Sequence, residues 1–197
     1  MVLGFHFIFS AYGFWLPNDP RGSWSDTVRS FDLLRFGPAK RPNTAASVAH
    51  VPHNHDLRNA AKQELRYPPV QFTGHQARAI ARGISTAAAT HQYIIYALTI
   101  MPDHIHLVMA AHPRPIDQIS AHLKAKATTR MSKENIHPMQ SYLLKNGRKP
   151  SPWARNYWCP FIRNENHLRN AITYVKNNPI KAGLKPQSWK LVQPYLG

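Results

Sequence analysis

The spacing of apolar residues in the first part of the chain predicts strands and helices in alternation. Residues 4–11 are rich in Phe and Ile, which is typical of a central strand covered on both faces. Residues 74–90 repeat apolar side chains every three or four positions, which predicts an amphipathic helix. Residues 93–100 and 104–110 are β-rich and flank a Met-Pro-Asp turn, which predicts a hairpin.

The second part of the chain continues the alternation. Apolar residues at helical spacing predict a helix over residues 116–132, and residues 153–162 read as a strand interrupted at Pro160. Asn164 is placed to cap a further helix with an apolar stripe from Leu168 to Val175. Assembled in this order, the elements predict an α+β fold, a ferredoxin-like (RRM-like) sandwich whose antiparallel sheet carries its helices on one face.

A long segment after the first strand differs from the rest. Pro and Gly recur through residues 18–74, and the segment is too long for an ordinary connection. A short helix is expected after Asn54, before the pair Pro68 and Pro69. We therefore predict one domain over residues 1–197, with residues 18–74 as a large insertion.

Composition narrows the class of protein. The chain has 197 residues, of which 43% are hydrophobic, so it can bury one proper core. Its single cysteine, Cys159, excludes an internal disulfide and a cysteine-rich zinc site, which suits a reducing cytoplasm. The apolar N-terminus lacks the basic start of a signal peptide, and no apolar run is long enough to span a membrane. We expect a cytoplasmic protein without a membrane partner.

The charge balance favours a polyanionic partner. Lys and Arg number 25 against 9 acidic residues, which gives a formal net charge of +16, so counterion release and long-range steering would favour nucleic acid. A ribosome-associated or merely basic protein is the alternative. The candidate nucleic-acid-binding residues are Lys124, Lys126, Arg130, Arg163, Lys176, Arg21 and Trp24. Each of them could instead belong to a solvated surface or loop.

Two histidines are the first candidates for chemistry. His104 and His106 are spaced i and i+2 on a predicted strand, so they leave the sheet on the same face and could bind one metal ion together. Alternatively, one is a hydrogen-bonded sheet residue and the other is exposed. His6, in the first strand, is better explained as a hydrogen-bonded strand residue than as a catalytic one.

The C-terminal helix supplies a candidate nucleophile. Tyr174 and Asn178 are four residues apart, hence on one face, so a phenol and a possible third metal ligand are neighbours. Pro179 disfavours helix at Asn178, and we expect it to fix where that amide lies. Tyr174 could equally be an amphipathic tyrosine at the edge of the core.

These motifs together resemble those of a known family. The run Met101–Val108, with the downstream Arg163-Asn164-Glu165 and the run Tyr174–Leu184, is similar to the single-tyrosine HUH transposases (IS200-like), and most of all to their REP-associated branch. The resemblance covers residues 1–15 and 74–197. Relatives in insertion sequences usually have glutamine where this chain has Asn178. The asparagine side chain is shorter than that of glutamine, so it could coordinate a metal ion through water.

The resemblance implies a fold, a site and an activity. The fold would be the same ferredoxin-like sandwich. His104, His106 and Asn178 would bind Mg²⁺ or Mn²⁺, and Tyr174 would attack single-stranded DNA with hairpin or palindromic elements through a 5′-phosphotyrosine intermediate. The protein would act as a transposase and endonuclease at the nucleoid. With one tyrosine per site, strand joining would use either a homodimer or one protomer twice.

Two other functions stay open. A domesticated module could bind folded single strands without cleaving them, using the same basic surface. A histidine-metal hydrolase unrelated to nucleic acid is less well supported, because Asp103 is the only acidic residue near the histidine pair and no carboxylate base is otherwise positioned.

Overall fold

The computed structural model describes residues 1–17, 19–20, 28, 30–40 and 51–197. The elements in that part of the chain, in order, are β1 (Gly4–Ala11), α1 (Phe31–Leu34), α2 (His55–Gln63), α3 (Gly74–His91), β2 (Ile95–Ile100), β3 (His104–Ala110), α4 (Ile116–Lys133), β4 (Trp153–Trp158), β5 (Phe161–Ile162) and α5 (Glu165–Lys181). None of these helices combines the length and the apolar character that crossing a bilayer would need.

The strands form one antiparallel sheet with β1 at its centre. The order is β2-β3-β1-β4, and β5 also pairs with β1. β2 and β3 form the predicted hairpin, and β1 lies against β3 with Ile8 opposite His106 and Ser10 opposite His104. With α3 and α4 as the two crossover helices, this is the β-α-β-β-α-β order of a ferredoxin-like sandwich. The predicted α+β fold class is confirmed.

One face of the sheet is covered by α3 and α4. Ile105, Leu107 and Met109 alternate along β3 toward this face and belong to a core that includes Ile84 of α3 and Leu123 of α4. The two helices meet at Gly83, where an added Cβ would lie 2.5 Å from the carbonyl oxygen of Lys126. This contact allows the helices to approach closely over the sheet.

The opposite face is covered by α5, which differs from the prediction that the helices share one face. Val108 and Ala97 face α5 and contact Leu168 and Val175 in a second, smaller core. The reason lies in the alternation of β3, because Val108 leaves the sheet on the same side as the two histidines. That face is part apolar and part polar, and the apolar stripe of α5 covers its apolar part.

Helix α5 also continues beyond the predicted end. It runs to Lys181 with Pro179 inside it, whereas the sequence suggested a stop near Asn178. A proline within a helix leaves the carbonyl four residues earlier without its donor. That carbonyl belongs to Val175, and it accepts a hydrogen bond of 2.6 Å from the Thr99 hydroxyl of β2. A donor from another element thus replaces the missing N–H.

The described part of the insertion has an apolar cluster of its own and also contributes Val70 and Phe72 to the main core. Asn54 caps α2 through a hydrogen bond from the Leu57 N–H, as predicted. Leu16, Phe36 and Ala61 make a separate apolar cluster beside the sheet. The candidate residues Arg21 and Trp24 lie outside the described residues.

The C-terminal segment covers the exposed edge of β2. Val192 forms a parallel bridge with Ile95. The Gln187 side chain bonds to both the N–H and the carbonyl of Ile100. The edge strand is therefore paired on both sides along part of its length.

Candidate active site

The two histidines of β3 share one face of the sheet, where His106 is buried and His104 is partly exposed. Their ring centroids are 4.9 Å apart. The Nδ1 atom of His104 lies 2.6 Å from the Asp103 carboxylate, and the Nδ1 atom of His106 lies 3.0 Å from Nε2 of His6. Among the described residues, the Nε2 atom of neither ring has a hydrogen-bond partner. Both imidazoles therefore present the same atom for coordination, each oriented through the other nitrogen.

His6 is a hydrogen-bonded strand residue, as the sequence analysis favoured, but its place beside the candidate site was missed. It is buried, and burial together with the neighbouring His167 lowers its pKa to about 4. Its ring lies beside both His106 and Tyr174, with centroids 5.2 Å and 6.1 Å away. Its place on β1 could have been found only by knowing that β1 pairs with β3, since alternation alone does not say which face of β1 meets the histidines.

Tyr174 faces the histidines from α5. Its ring centroid is 5.4 Å from that of His106, and the side chain is 39% exposed. Burial raises the pKa of the phenol above its usual value, and a side-chain hydrogen bond from Asn178 opposes that shift. The hydroxyl and the amide are therefore neighbours, as the four-residue spacing predicted.

Lys181 is a second residue that the sequence analysis missed. Its ammonium nitrogen lies 5.6 Å from the centre of the Tyr174 ring. Because α5 continues through Pro179, a residue seven positions after the tyrosine falls on the same side of the helix. The sequence analysis expected the helix to end near Asn178, so it did not place Lys181 on the same side as Tyr174.

Aromatic rings surround the histidines. Phe14 is stacked on His104, with centroids 5.1 Å apart and planes inclined by 17°. Trp158 lies 6.5 Å from His6 on the neighbouring strand. The Ser10 hydroxyl, opposite His104 on β1, is buried and has no hydrogen-bond partner in the described part of the chain. The site is thus walled by apolar rings and contains one unsatisfied polar atom.

The donor set fits a divalent metal ion. No three His, Cys, Asp or Glu side chains of the described residues cluster as a metal site, so the two imidazoles are the donors that the structure brings together, and Asn178 stays a predicted third ligand. Imidazole must be neutral to coordinate, and burial, helped by His104 and His6, holds the pKa of His106 well below its usual range. The unsatisfied Ser10 hydroxyl is consistent with a bound water or ion nearby.

The three candidate nucleic-acid-binding residues of α4 lie on the other side of the sheet from the histidines. The Lys124 ammonium donates to the carbonyl oxygens of Ala154 and Asn156, and burial lowers its pKa to about 8. Arg130 is ion-paired with Glu134. These residues and Lys126 belong to α4, which covers the other face of the sheet. The sequence could not show this, because α4 is amphipathic whichever face it covers.

The two remaining candidates lie at or near α5. Arg163 directly precedes the helix and is exposed. Lys176 is exposed too, but two positions after Tyr174 correspond to about 200° around a helix. Lys176 therefore points away from the tyrosine, while Lys181 points toward it.

The chain is similar to several known proteins. A protein of Haemophilus influenzae named as a REP-associated tyrosine transposase is 34% identical over 90 residues, which is 44% of this chain and 49% of that protein. The match thus spans about half the length of that relative. A REP-associated tyrosine transposase bound to a REP hairpin has a TM-score of 0.49 at 14% identity, covering 94% of this chain and 72% of its own. A transposase from Deinococcus radiodurans has a TM-score of 0.42 at 16% identity, over 90% and 91% of the two chains.

A family model decides the classification. The model described as "Transposase IS200 like" matches residues 66–178. That range begins before α3 and ends at Asn178, so it contains both histidines of β3 and Tyr174. More than half of the chain is covered, and the resemblance inferred from the motifs is confirmed. The chain belongs to the family of IS200-like transposases.

Proposed function

We propose that the protein cleaves and rejoins single-stranded DNA at hairpin or palindromic elements, with Tyr174 as the nucleophile and a 5′-phosphotyrosine intermediate. The observation that carries the proposal is the contact of the Tyr174 ring with His106 and His6, at 5.4 Å and 6.1 Å between centroids. A partly exposed phenol beside two paired imidazoles is the arrangement that tyrosine transesterification needs.

The reaction exchanges one phosphodiester bond for another. The Tyr174 oxygen forms a bond to the scissile phosphorus, and the bond from phosphorus to the 3′-oxygen breaks. The phenol loses its proton, and the 3′-oxygen leaves as a hydroxyl. Because the bond energy is kept in the phosphotyrosine, attack by a 3′-hydroxyl can reverse the step and rejoin a strand. No nucleotide cofactor is required.

The side chains around Tyr174 have complementary roles in this proposal. The Asn178 hydrogen bond supports the deprotonated phenol, since it opposes the increase in pKa that burial causes. Lys181, 5.6 Å from the ring, brings a positive charge to the place where negative charge develops. A divalent ion such as Mg²⁺ or Mn²⁺, held by His104, His106 and Asn178, would supply Lewis-acid assistance to the scissile phosphate.

The DNA would lie across the α5 side of the sheet. Lys181 and Arg163 supply cations there, and Trp158 beside His6 offers an aromatic surface of the kind on which single-stranded bases stack. The hairpin or palindromic element is proposed from the resemblance to REP-associated relatives. Arg21 and Trp24 remain candidates for further contacts. The protein would act in the cytoplasm at the nucleoid, either as a homodimer or with one protomer used twice.

A covalent-adduct experiment tests the proposal. Purified protein, Mn²⁺ and labelled single-stranded hairpin oligonucleotides are mixed and run on a denaturing gel. Wild type should give a shifted band that Tyr174→Phe loses while still binding the oligonucleotide. Tyr157→Phe is the matched control, because Tyr157 lies on the other face of the sheet, against Phe7 and Phe9. Binding by wild type without any adduct would favour the non-cleaving module instead.

A further inference from the structure

A buried hydrogen bond joins the tyrosine helix to the sheet. The Thr99 hydroxyl donates to the Val175 carbonyl at 2.6 Å, and Thr99 is 1% exposed. Threonine is β-branched and has a restricted χ1 angle, so its hydroxyl direction is well defined on a strand. The bond therefore links one point of β2 to one point of α5.

The carbonyl is available because of Pro179. In an α-helix the carbonyl of Val175 would accept from the N–H of residue 179, and proline has none. Elsewhere in the fold a buried carbonyl without a donor would cost stability. Here the sequence removes the helical donor and supplies another from a strand 76 residues away.

The two residues that form the bond are each adjacent to a residue of the proposed active site. Thr99 is the direct cross-strand partner of His106, so the two side chains leave the sheet on the same face. Val175 follows Tyr174 in α5 and precedes Asn178 by three positions. The bond thus joins the helix that bears the proposed nucleophile to β2, the strand that pairs with the histidine-bearing β3.

We propose that Thr99 is a positioning residue for Tyr174. Its hydrogen bond to the carbonyl that Pro179 leaves open fixes α5 along and around its axis relative to His106. The phenol is thereby held at attacking distance from a phosphate bound at the histidines. The inference rests on the proposed function, since it assigns a role in the same transfer reaction.

A purely structural role makes a different prediction. If Thr99 only satisfied a buried carbonyl, any other donor to that carbonyl would serve equally well. Pro179→Ala supplies such a donor, because alanine restores the helical N–H at position 179. If Thr99 positions the helix on the sheet, an internal helical bond cannot replace it. The double variant therefore distinguishes a structural role of Thr99 from a positioning role.

The experiment uses the full chain and two readouts. The variants are Thr99→Val, which keeps the shape and loses the hydroxyl, Thr99→Ser, which keeps the hydroxyl, Pro179→Ala and Thr99→Val/Pro179→Ala. The first readout is the rate of covalent adduct formation on a hairpin oligonucleotide with Mn²⁺. The second is amide hydrogen exchange of residues 174–184, which reports on α5 independently of the chemistry.

We expect Thr99→Val to slow adduct formation by at least about tenfold and to speed exchange in α5, and Thr99→Ser to remain close to wild type. In the Pro179→Ala background, Thr99→Val should leave exchange protected yet still slow the adduct by a similar factor relative to Pro179→Ala alone.

Equal adduct rates for Pro179→Ala and the double variant would overturn the inference, and so would unchanged exchange and rate in Thr99→Val. If wild type forms no adduct at all, the proposed function fails and the catalytic role of Thr99 with it. The exchange data would then still report whether the bond holds α5, so the two failures are distinguishable.

Discussion

At the scale of single residues, the two histidines of β3 have different partners, but in each ring the partner contacts Nδ1 and leaves Nε2 for coordination. Asp103 engages Nδ1 of His104, and His6 engages Nδ1 of His106. Partners of this kind fix the tautomer and the direction of a coordinating ring. The lone acid near the pair is thus bound to a ring nitrogen, which leaves a histidine-metal hydrolase without a free carboxylate base.

The affinity for a metal ion should depend on the two histidines first and on the residues that orient them second. His104→Ala and His106→Ala should abolish measurable Mn²⁺ binding, and Asp103→Asn should weaken it by about 10- to 100-fold by loosening the His104 ring. Asn178→Ala should have the smallest effect if its amide coordinates through water. Titration followed by electron paramagnetic resonance measures each affinity, with the exposed His75→Ala as control. Unchanged affinity in both histidine variants would rule out the proposed donor set.

Folding stability should fall in mild acid. His6 has a pKa of about 4 in the folded protein against 6.5 as its ordinary value, so between these pH values the unfolded chain binds the proton more readily. Stability is therefore complete above pH 6.5 and declines as the pH falls toward 4, by up to about 3 kcal/mol from His6.

Urea unfolding at several pH values measures that slope. His6→Gln should flatten it, whereas His75→Gln, at an exposed position, should not. A slope that is the same in wild type and His6→Gln would show that the buried histidine is not responsible.

The sequence could predict which residues are neighbours within one strand or helix, but not which residues of different elements meet. The sequence could predict that His104 and His106 are neighbours, and likewise Tyr174 and Asn178, because their spacing within one strand or one helix places them together. His6 depends on the pairing of strands about a hundred residues apart. The surroundings of Lys124 could not be predicted, because the sequence of an amphipathic helix does not show which carbonyl groups accept hydrogen bonds from a lysine ammonium.

At the scale of elements, the apolar pattern predicted the main strands and helices and the bounds of several of them. β1 and β3 begin and end where the apolar pattern predicted, and α3 and α4 differ by one residue at their ends. The end of α5 was missed because its continuation depends on Thr99 of another element. The face that α5 covers was missed because helical periodicity shows which side of a helix is buried but not which face of the sheet it covers.

The contact between α3 and α4 should be intolerant of a side chain at Gly83. A Cβ there would lie 2.5 Å from the Lys126 carbonyl oxygen and 2.6 Å from the Ala127 Cα. We expect Gly83→Ala to lower the unfolding free energy by about 1–3 kcal/mol, because two backbones must separate. Gly74→Ala is the control, since nothing lies within 4 Å of its added Cβ. Equal unfolding midpoints for the two variants would contradict the close approach.

At the scale of the whole molecule, the sheet has the larger apolar core on one face and the candidate site on the other. Helices α3 and α4 cover the first face, and α5 covers the second. The net charge of +16 would attract the proposed DNA partner to the protein from a distance. Among the described residues, the cations on the α5 side of the sheet are the ones placed to contact a strand bound at the histidines.

Salt dependence distinguishes those cations. Lys181→Gln should weaken binding of a single-stranded hairpin oligonucleotide and reduce the slope of log affinity against log salt by about 0.7. Lys176→Gln, with the same charge change on the far side of α5, should leave the slope unchanged. Fluorescence anisotropy between low and moderate salt measures both. A larger change in Lys176→Gln than in Lys181→Gln would place the DNA on another surface.

The central claim is that Tyr174 becomes covalently joined to DNA, and peptide mapping tests it most directly. The product of wild type, Mn²⁺ and a hairpin oligonucleotide is digested with protease and nuclease and examined by mass spectrometry. The account predicts a nucleotide attached through its 5′-phosphate to the peptide that contains Tyr174. A nucleotide on any other residue, or tight binding with no modified peptide on every hairpin tried, would contradict it.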